Sequence, residues 1–200
     1  MATFEEQLHS DLHQYLMGLN EVDERLPECP DVAGKWESIA EAYIPDGIRE
    51  FQNCPSASLG WMMYIGMAVA KMWDTEWEVM EQREQIQARL DSAESRQNST
   101  NGQIYSNLEN IYTFMCDKRG YDAMDEYVRE EVLRLRGDDY DALEKLVGEC
   151  ASRVNNALMH QNFEPGTKEA FEGYVTCLHQ LYLFGAAMQL KRMGYRMEKI

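Results

Sequence analysis

The sequence predicts an all-α protein, a bundle of seven to eight helices with two long, mostly buried helices at its centre. Apolar residues recur at three- and four-residue intervals along most of the chain, and no clear alternating strand pattern is found. Breaks between the helical stretches fall at proline and glycine. Two hundred residues, 44% of them hydrophobic, can form one good-sized core, so we expect a single domain over residues 1–200.

The first helix is predicted from about residue 4 to residue 20. Thr3 followed by Glu6 is a capping-box pattern, which marks the N-terminus of a helix. Leu8 and Leu12 belong to one apolar stripe after it.

A second helix is predicted to begin at Pro30 and to end before Pro45, because the residue before a proline disfavours helical backbone. The stretch "PDGIREF" that follows is expected to be a short turn. The inward face of this helix is expected to carry Trp36, Ile39, Ala40 and Tyr43.

The third helix is predicted to begin at Pro55 and to continue for about forty residues, or roughly 60 Å at 1.5 Å per residue. That is longer than a single core. The far part, Asp74–Arg96, is expected to be exposed or paired with a partner. Its apolar side chains are Trp77, Met80, Ile86 and Leu90. A polar linker, "SAESRQNSTNG" at 92–102, then separates two helical halves.

The second half is predicted to contain four helices, with breaks near Gly120, Gly137 and Gly166. They are expected over 104–116, 121–136, 139–161 and 167–199. A shift of 119 residues places Gly66 on Gly185, within two long apolar stretches that resemble each other. This predicts an internal pseudo-repeat, with chance similarity of two amphipathic helices as the alternative.

Neither apolar stretch is expected to cross a membrane. The uncharged run Cys54–Ala70 has 17 residues, whereas a spanning helix needs about 20. The second stretch contains His179 and two glutamines, which are costly in lipid. Both therefore predict buried helices, in which Gly66 and Gly185 allow a neighbouring backbone to come close.

The charge balance disfavours nucleic acid and anionic membrane surfaces as partners. The chain has 35 acidic and 19 basic residues, a net charge of −16, and residues 1–50 alone carry −9. Basic residues gather in "KRMGYRMEKI" at the other end. They either complement the dipole of the last helix or dock on an acidic surface, for example in a second copy.

Cysteine usage and the N-terminal residues predict a cytoplasmic protein. The five cysteines are odd in number and lack CxxC spacing, which argues against a disulfide framework and a zinc knuckle. The first residues show neither the basic nor the apolar region of a signal peptide. Cys29-Pro30 and Cys54-Pro55 precede helices, where a thiol can be reactive, but we expect ordinary half-buried cysteines.

Six residues on the two long helices are candidates for a ligand site. One group shares a helical face, and the other would oppose it if the two helices pair. An aromatic, methionine-rich cavity with one lysine and one histidine suits a small apolar ligand bearing an acid group. The alternative is a packed core with the lysine at its rim. The residues are Trp61, Tyr64, Met67 and Lys71 in the first group and His179 and Tyr182 in the second.

His9 and His13 stand one helical turn apart, and Glu6 precedes His9 by three residues. That spacing can bind zinc or iron, but it occurs once, so we expect surface histidines and no metal or other cofactor. No nucleophile elbow, phosphate loop, dinucleotide fingerprint or HExxH motif is found, which argues against an enzyme.

These observations favour a cytoplasmic interaction or scaffold protein that self-associates, through the exposed part of the third helix. The first alternative is a helical bundle that binds a small apolar or acidic ligand between its central helices. The second alternative is a metal-dependent enzyme at His9 and His13.

Overall fold

The computed structural model describes residues 2–91 and 111–196, with residues 76–91 described as helical backbone only. These ranges contain helices and no strand, so the predicted all-α class is confirmed. The longer helices are α1 (Phe4–Gly18), α3 (Trp36–Asn53), α4 (Pro55–Asp91), α7 (Asp138–His160) and α8 (Lys168–Arg192). The shorter helices are α2 (Pro30–Ala33), α5 (Ile111–Arg119) and α6 (Met124–Tyr127).

Helix α1 begins where the capping box predicted. The Thr3 hydroxyl accepts a hydrogen bond from the Glu6 backbone N–H at 3.2 Å, and the Glu6 carboxylate accepts one from the Thr3 N–H at 2.7 Å. Together they satisfy two backbone donors that a helix N-terminus leaves unpaired. Leu8 and Leu12 are buried, as the stripe predicted.

The prediction of one helix from Pro30 to Pro45 is wrong after its first turn. The helix that begins at Pro30 stops at Ala33, and α3 then runs from Trp36 past Pro45 to Asn53. The stretch "PDGIREF" is therefore helical and not a turn. Pro45 is exposed, so solvent can reach the carbonyl group that loses its N–H partner. The predicted inward residues Ile39, Ala40 and Tyr43 are buried, and Trp36 is half-buried.

The predicted helix over 121–136 is shorter and less regular than expected. A 3₁₀ turn (Tyr121–Ala123) precedes α6, and a π-helical turn (Val128–Val132) follows it. The three predicted glycine breaks are found, because each glycine has a positive φ that other residues rarely adopt: Gly120 (81°), Gly137 (56°) and Gly166 (82°). The predicted helix over 104–116 is described only from residue 111, where α5 begins, and α5 continues past residue 116 to Arg119. The linker at 92–102 lies outside the described residues.

Helices α4 and α8 form the predicted central pair, and they run in the same direction. Near their first turns the Ser58 Oγ and the Tyr174 hydroxyl oxygen lie 2.7 Å apart. At the other end the Tyr195 hydroxyl, just after α8, donates to the Asp74 carboxylate at 2.9 Å. Residues 62–70 and 184–190 are buried without exception, so the centre of each helix is covered on all faces.

One glycine from each central helix makes the closest approach. A Cβ atom on Gly66 would overlap the carbonyl oxygen of Tyr182, and a Cβ atom on Gly185 would overlap that of Met63. Met63 and Tyr182 are separated by 119 positions, as are Gly66 and Gly185. The contact of Gly66 with Tyr182 and that of Gly185 with Met63 are therefore equivalent under the 119-residue shift, which is the symmetry that a pseudo-repeat would produce.

A buried serine ties α3 to the central pair. The Ser58 hydroxyl donates to the carbonyl oxygen of Gly47 at 2.7 Å, so it accepts from the Tyr174 hydroxyl. The Tyr43 hydroxyl donates to the carbonyl oxygen of Ser58 at 2.5 Å. These hydrogen bonds satisfy polar groups that would be costly to leave unpaired in a core.

Helix α8 ends at Arg192, before the predicted Lys199, and Gly194 has a φ of 94° just beyond it. The basic end of α8 contacts an acidic segment of the same chain. The Lys191 ammonium lies 2.9 Å from the Asp23 carboxylate, and the Arg192 guanidinium lies 2.9 Å from Glu21.

In the described part of the chain no helix is both long enough and apolar enough to cross a bilayer.

Candidate functional site

The six residues predicted to form a ligand site lie in separate clusters. Trp61 packs edge-to-face on Tyr121, with ring centroids 4.3 Å apart. The Tyr64 ring lies 5.6 Å from the Arg129 guanidinium carbon. Trp61 and Tyr64 therefore face the segment around α6, and not α8.

His179 and Tyr182 face the connection between α2 and α3. The His179 ring stacks on Trp36 with centroids 4.8 Å apart, and the Tyr182 hydroxyl donates to the carbonyl oxygen of Val32 at 2.6 Å. Burial lowers the pKa of His179 below its usual value, although Glu5 at 3.9 Å acts in the opposite direction. The neutral imidazole is thus the favoured form.

The remaining two candidates do not join the clusters into one cavity. Met67 is fully buried, and the Lys71 ammonium forms an ion pair with Asp74 at 3.2 Å near the end of the central pair. At their crossing the two helices are in backbone contact through Gly66 and Gly185, which leaves no space for a ligand there. Any ligand site must therefore lie beside the central pair.

A groove of about 540 Å³ lies between α1, the segment 24–33 and α8. We call it the α1–α8 groove. Its volume is typical of small-molecule sites. It is lined by His9 and His13 from α1, by residues 24–30, 32 and 33, and by Tyr182, Leu183, Ala186, Ala187 and Leu190 from α8.

The side chain of Gln180 fixes the tautomer of His9. The Gln180 amide nitrogen donates to the Glu5 carboxylate at 3.2 Å, so its amide oxygen faces His9. That oxygen lies 2.8 Å from His9 Nδ1 and accepts its hydrogen. In the neutral ring the lone pair is therefore on Nε2.

A backbone carbonyl fixes the second histidine in the same way. His13 Nε2 lies 2.9 Å from the carbonyl oxygen of Asp23, so Nε2 carries the hydrogen and Nδ1 carries the lone pair in the neutral ring. Phe184 packs beside both imidazoles, with centroid distances of 5.0 Å to His9 and 6.2 Å to His13. The unprotonated nitrogens of the neutral rings are thus Nε2 of His9 and Nδ1 of His13, on two residues that line the groove.

The opposite wall contributes charge and a thiol. Glu24, Arg25 and Glu28 line the groove, and none of the three forms an ion pair with another described residue. Burial raises the pKa of the Cys29 thiol, so the uncharged thiol is the favoured form and a reactive thiolate is not.

A metal ion at His9 and His13 would have these two side chains as ligands and lacks a third among the described residues. Among the side chains that the structure describes, those of residues 2–75 and 111–196, no three of His, Cys, Asp or Glu are grouped to hold a metal ion. Glu6, which the sequence spacing offered as a partner for His9 and His13, is engaged in the capping box.

A second groove, of about 790 Å³, lies between α1 and α7. Its lining includes the charged residues Asp11 and Arg153. The Tyr15 hydroxyl donates to Glu149, and the Arg153 guanidinium carbon lies 3.8 Å from the centre of the Tyr15 ring. One charged side chain of this groove, Arg153, is thus packed on a neighbouring ring.

Arg129 is a buried cation on the π-helical turn. Its guanidinium lies 2.8 Å from Asp125 and 3.0 Å from Glu144, and its carbon lies 4.0 Å from the Tyr140 ring centre. The charge is thus neutralised within the protein, and the cluster ties the segment around α6 to α7.

The sequence singled out His9 and His13 as a possible metal pair and Tyr182 as a ligand-site candidate, but not the groove that all three line. Gln180 and Asp23 were missed, because each acts on a histidine through a long-range contact or a backbone atom that no local spacing reveals. The chain matches no family model, and no curated protein and no solved structure matches it significantly. Function is therefore inferred from the side chains alone.

Proposed function

We propose that this chain is a helical ligand-binding protein and that a small ligand occupies the α1–α8 groove. The observation that carries the proposal is a groove whose two histidines are held in fixed orientation by Gln180 and Asp23. A mostly apolar concavity with a few oriented polar groups is the usual form of a small-molecule site. The site lies beside the central helices and not between them.

A substitution at the rim tests this proposal without disturbing the core. Ala33 is exposed and lines the groove, so Ala33→Trp should block it, whereas Ala142→Trp places the same side chain on an exposed position of α7. We expect Nile red, a neutral apolar dye, to bind saturably and to lose at least tenfold in affinity in Ala33→Trp only. Equal binding to both variants, or no saturable binding, would contradict the proposal.

Self-association is a second candidate function, favoured by the length of α4. The hydrogen bond between Asp74 of α4 and Tyr195 marks the level at which α8 has ended. From Asp74, α4 continues to Asp91, about 25 Å further at 1.5 Å per residue. The apolar side chains predicted to be exposed or paired in this part of α4 are not among those that the structure describes: Trp77, Met80, Ile86 and Leu90. We propose that the partner is a second copy of the chain. We also propose a cytoplasmic location, because the five cysteines are free thiols.

Sedimentation of matched variants tests self-association. We expect a dimer in the wild type, a monomer in Met80→Glu/Ile86→Glu, and a dimer in Met17→Glu, which changes an exposed methionine of α1. A wild type that remains monomeric at high concentration would exclude this function.

A further inference from the structure

The charges and hydrogen-bond roles in the α1–α8 groove indicate the class of its ligand, and this inference rests on the proposed function. The first step concerns the histidines. Each neutral ring has its N–H engaged, on Nδ1 of His9 and on Nε2 of His13. What remains for a ligand is one lone pair from each ring, so the ligand must supply hydrogen-bond donors.

The second step concerns charge. Of the three charged residues that line the groove, Glu24 and Glu28 are acidic and Arg25 is basic, so the lining carries a net negative charge. The chain as a whole carries −16, which raises the local concentration of cations and lowers that of anions. A positively charged ligand is therefore favoured here, unlike the small apolar or acidic ligand that the sequence offered as an alternative between the central helices.

The third step concerns the floor of the groove. Ala186, Ala187 and Leu190 present small or apolar side chains. The Tyr182 hydroxyl is engaged with Val32, so this residue offers its ring and not its hydroxyl. A hydrocarbon or aromatic body fits such a floor, because burying apolar surface is favourable and no polar group is left unpaired.

We propose that the α1–α8 groove binds an apolar amine. Its protonated nitrogen donates to His9 Nε2 and His13 Nδ1, its charge is complemented by Glu24 and Glu28, and its hydrocarbon part lies on α8.

Three probes that share one ring system test the class of ligand: 2-(1-naphthyl)ethylamine, 2-(1-naphthyl)ethanol and 1-naphthylacetate. In isothermal titration at pH 7.5 we expect the amine to bind at least tenfold tighter than the alcohol, and the acetate to bind more weakly than both. Ala33→Trp should weaken every probe that binds.

Two variants locate the preference for the amine. Glu24→Gln/Glu28→Gln changes exposed side chains that form no ion pair with another described residue, so it should fold normally and reduce the preference severalfold. His9→Leu/His13→Leu should reduce it further, with the helical circular dichroism checked for folding. His160→Ala removes an exposed histidine outside this groove and should leave all affinities unchanged.

The outcomes separate this inference from the proposed function. If the alcohol or the acetate binds as tightly as the amine and Ala33→Trp abolishes that binding, the groove is a ligand site but the amine class is wrong. A preference for the amine that survives in both variant pairs also overturns the amine class. If no probe binds, or if Ala33→Trp leaves the affinity of every probe unchanged, the amine class and the proposed ligand-binding function are both overturned.

Discussion

At the scale of single residues, burial decides which thiols can react. Cys150 and Cys177 are fully buried, and burial raises the pKa of each thiol to about 12. Cys54 is exposed. The thiolate is the reactive form of cysteine. A buried thiol with a raised pKa therefore reacts slowly for two reasons: the reagent cannot reach it, and it stays protonated.

We therefore expect Cys54 to give the fast phase of reaction with Ellman's reagent at pH 8, and Cys150 and Cys177 to react only after the protein unfolds. Cys54→Ser should remove the fast phase and leave the slow ones. A single rate for all five cysteines would mean that the buried positions are wrong.

At the scale of secondary-structure elements, the contact between α4 and α8 depends on two glycines. Gly66→Ala gains about 1 kcal/mol of helix propensity, but the new methyl group overlaps backbone atoms that cannot rotate away. Overpacking of that kind costs about 3 kcal/mol, so overpacking outweighs propensity.

We expect Gly66→Ala and Gly185→Ala each to lower the free energy of unfolding by about 2 kcal/mol in urea denaturation. Gly148 on α7 is the matched control, because a Cβ atom there meets nothing within 4 Å. Gly148→Ala should raise stability by up to about 1 kcal/mol. Equal effects at all three positions would show that the central helices are not in backbone contact.

Most elements could be predicted because helix periodicity and glycine breaks are local signals. Pro45 was misread because its exposure depends on which face of α3 packs on the core, and a local rule cannot give that. The segment between Tyr121 and Val132 was read as one helix, whereas it contains a 3₁₀ turn and a π-helical turn, and Arg129 packs on Tyr140 of the next helix, a contact that local periodicity does not give.

The candidate site could be predicted only in part. His9 and His13 were found because a four-residue spacing puts them on one helix face. Trp61 and His179 were expected to oppose each other, but α4 and α8 use their glycine faces for mutual contact, which turns these side chains to different neighbours. Which face of a buried helix meets which neighbour is set by long-range packing.

At the scale of the whole molecule, ion pairs link the end of α8 to the segment that follows α1. Lys191 and Arg192 at the end of α8 pair with Asp23 and Glu21, in the segment that leads into the α1–α8 groove. Lys191 Nζ also donates to the carbonyl oxygen of Asn20 at 2.9 Å. These contacts restrain the segment more than they stabilise the fold, because partly exposed ion pairs contribute about 0–1 kcal/mol each.

We expect Lys191→Gln/Arg192→Gln to raise amide hydrogen exchange in residues 20–29 while the free energy of unfolding falls by no more than about 2 kcal/mol. Lys168→Gln is the control, since it removes an exposed pair with Glu172 elsewhere and should leave that exchange unchanged. Exchange that rises equally in both variants would argue against a specific restraint.

The common direction of α4 and α8 has a consequence for how the chain is made. Two parallel helices cannot be joined by a short hairpin, and here residues 92–167 are synthesised between the end of α4 and the start of α8. Until α8 leaves the ribosome, the face of α4 around Gly66 that packs on Tyr182 has no cover, and His9 of α1 lacks its partner Gln180. We expect nascent chains that stop before α8 to be held by chaperones, and the complete chain to fold slowly for a helical protein.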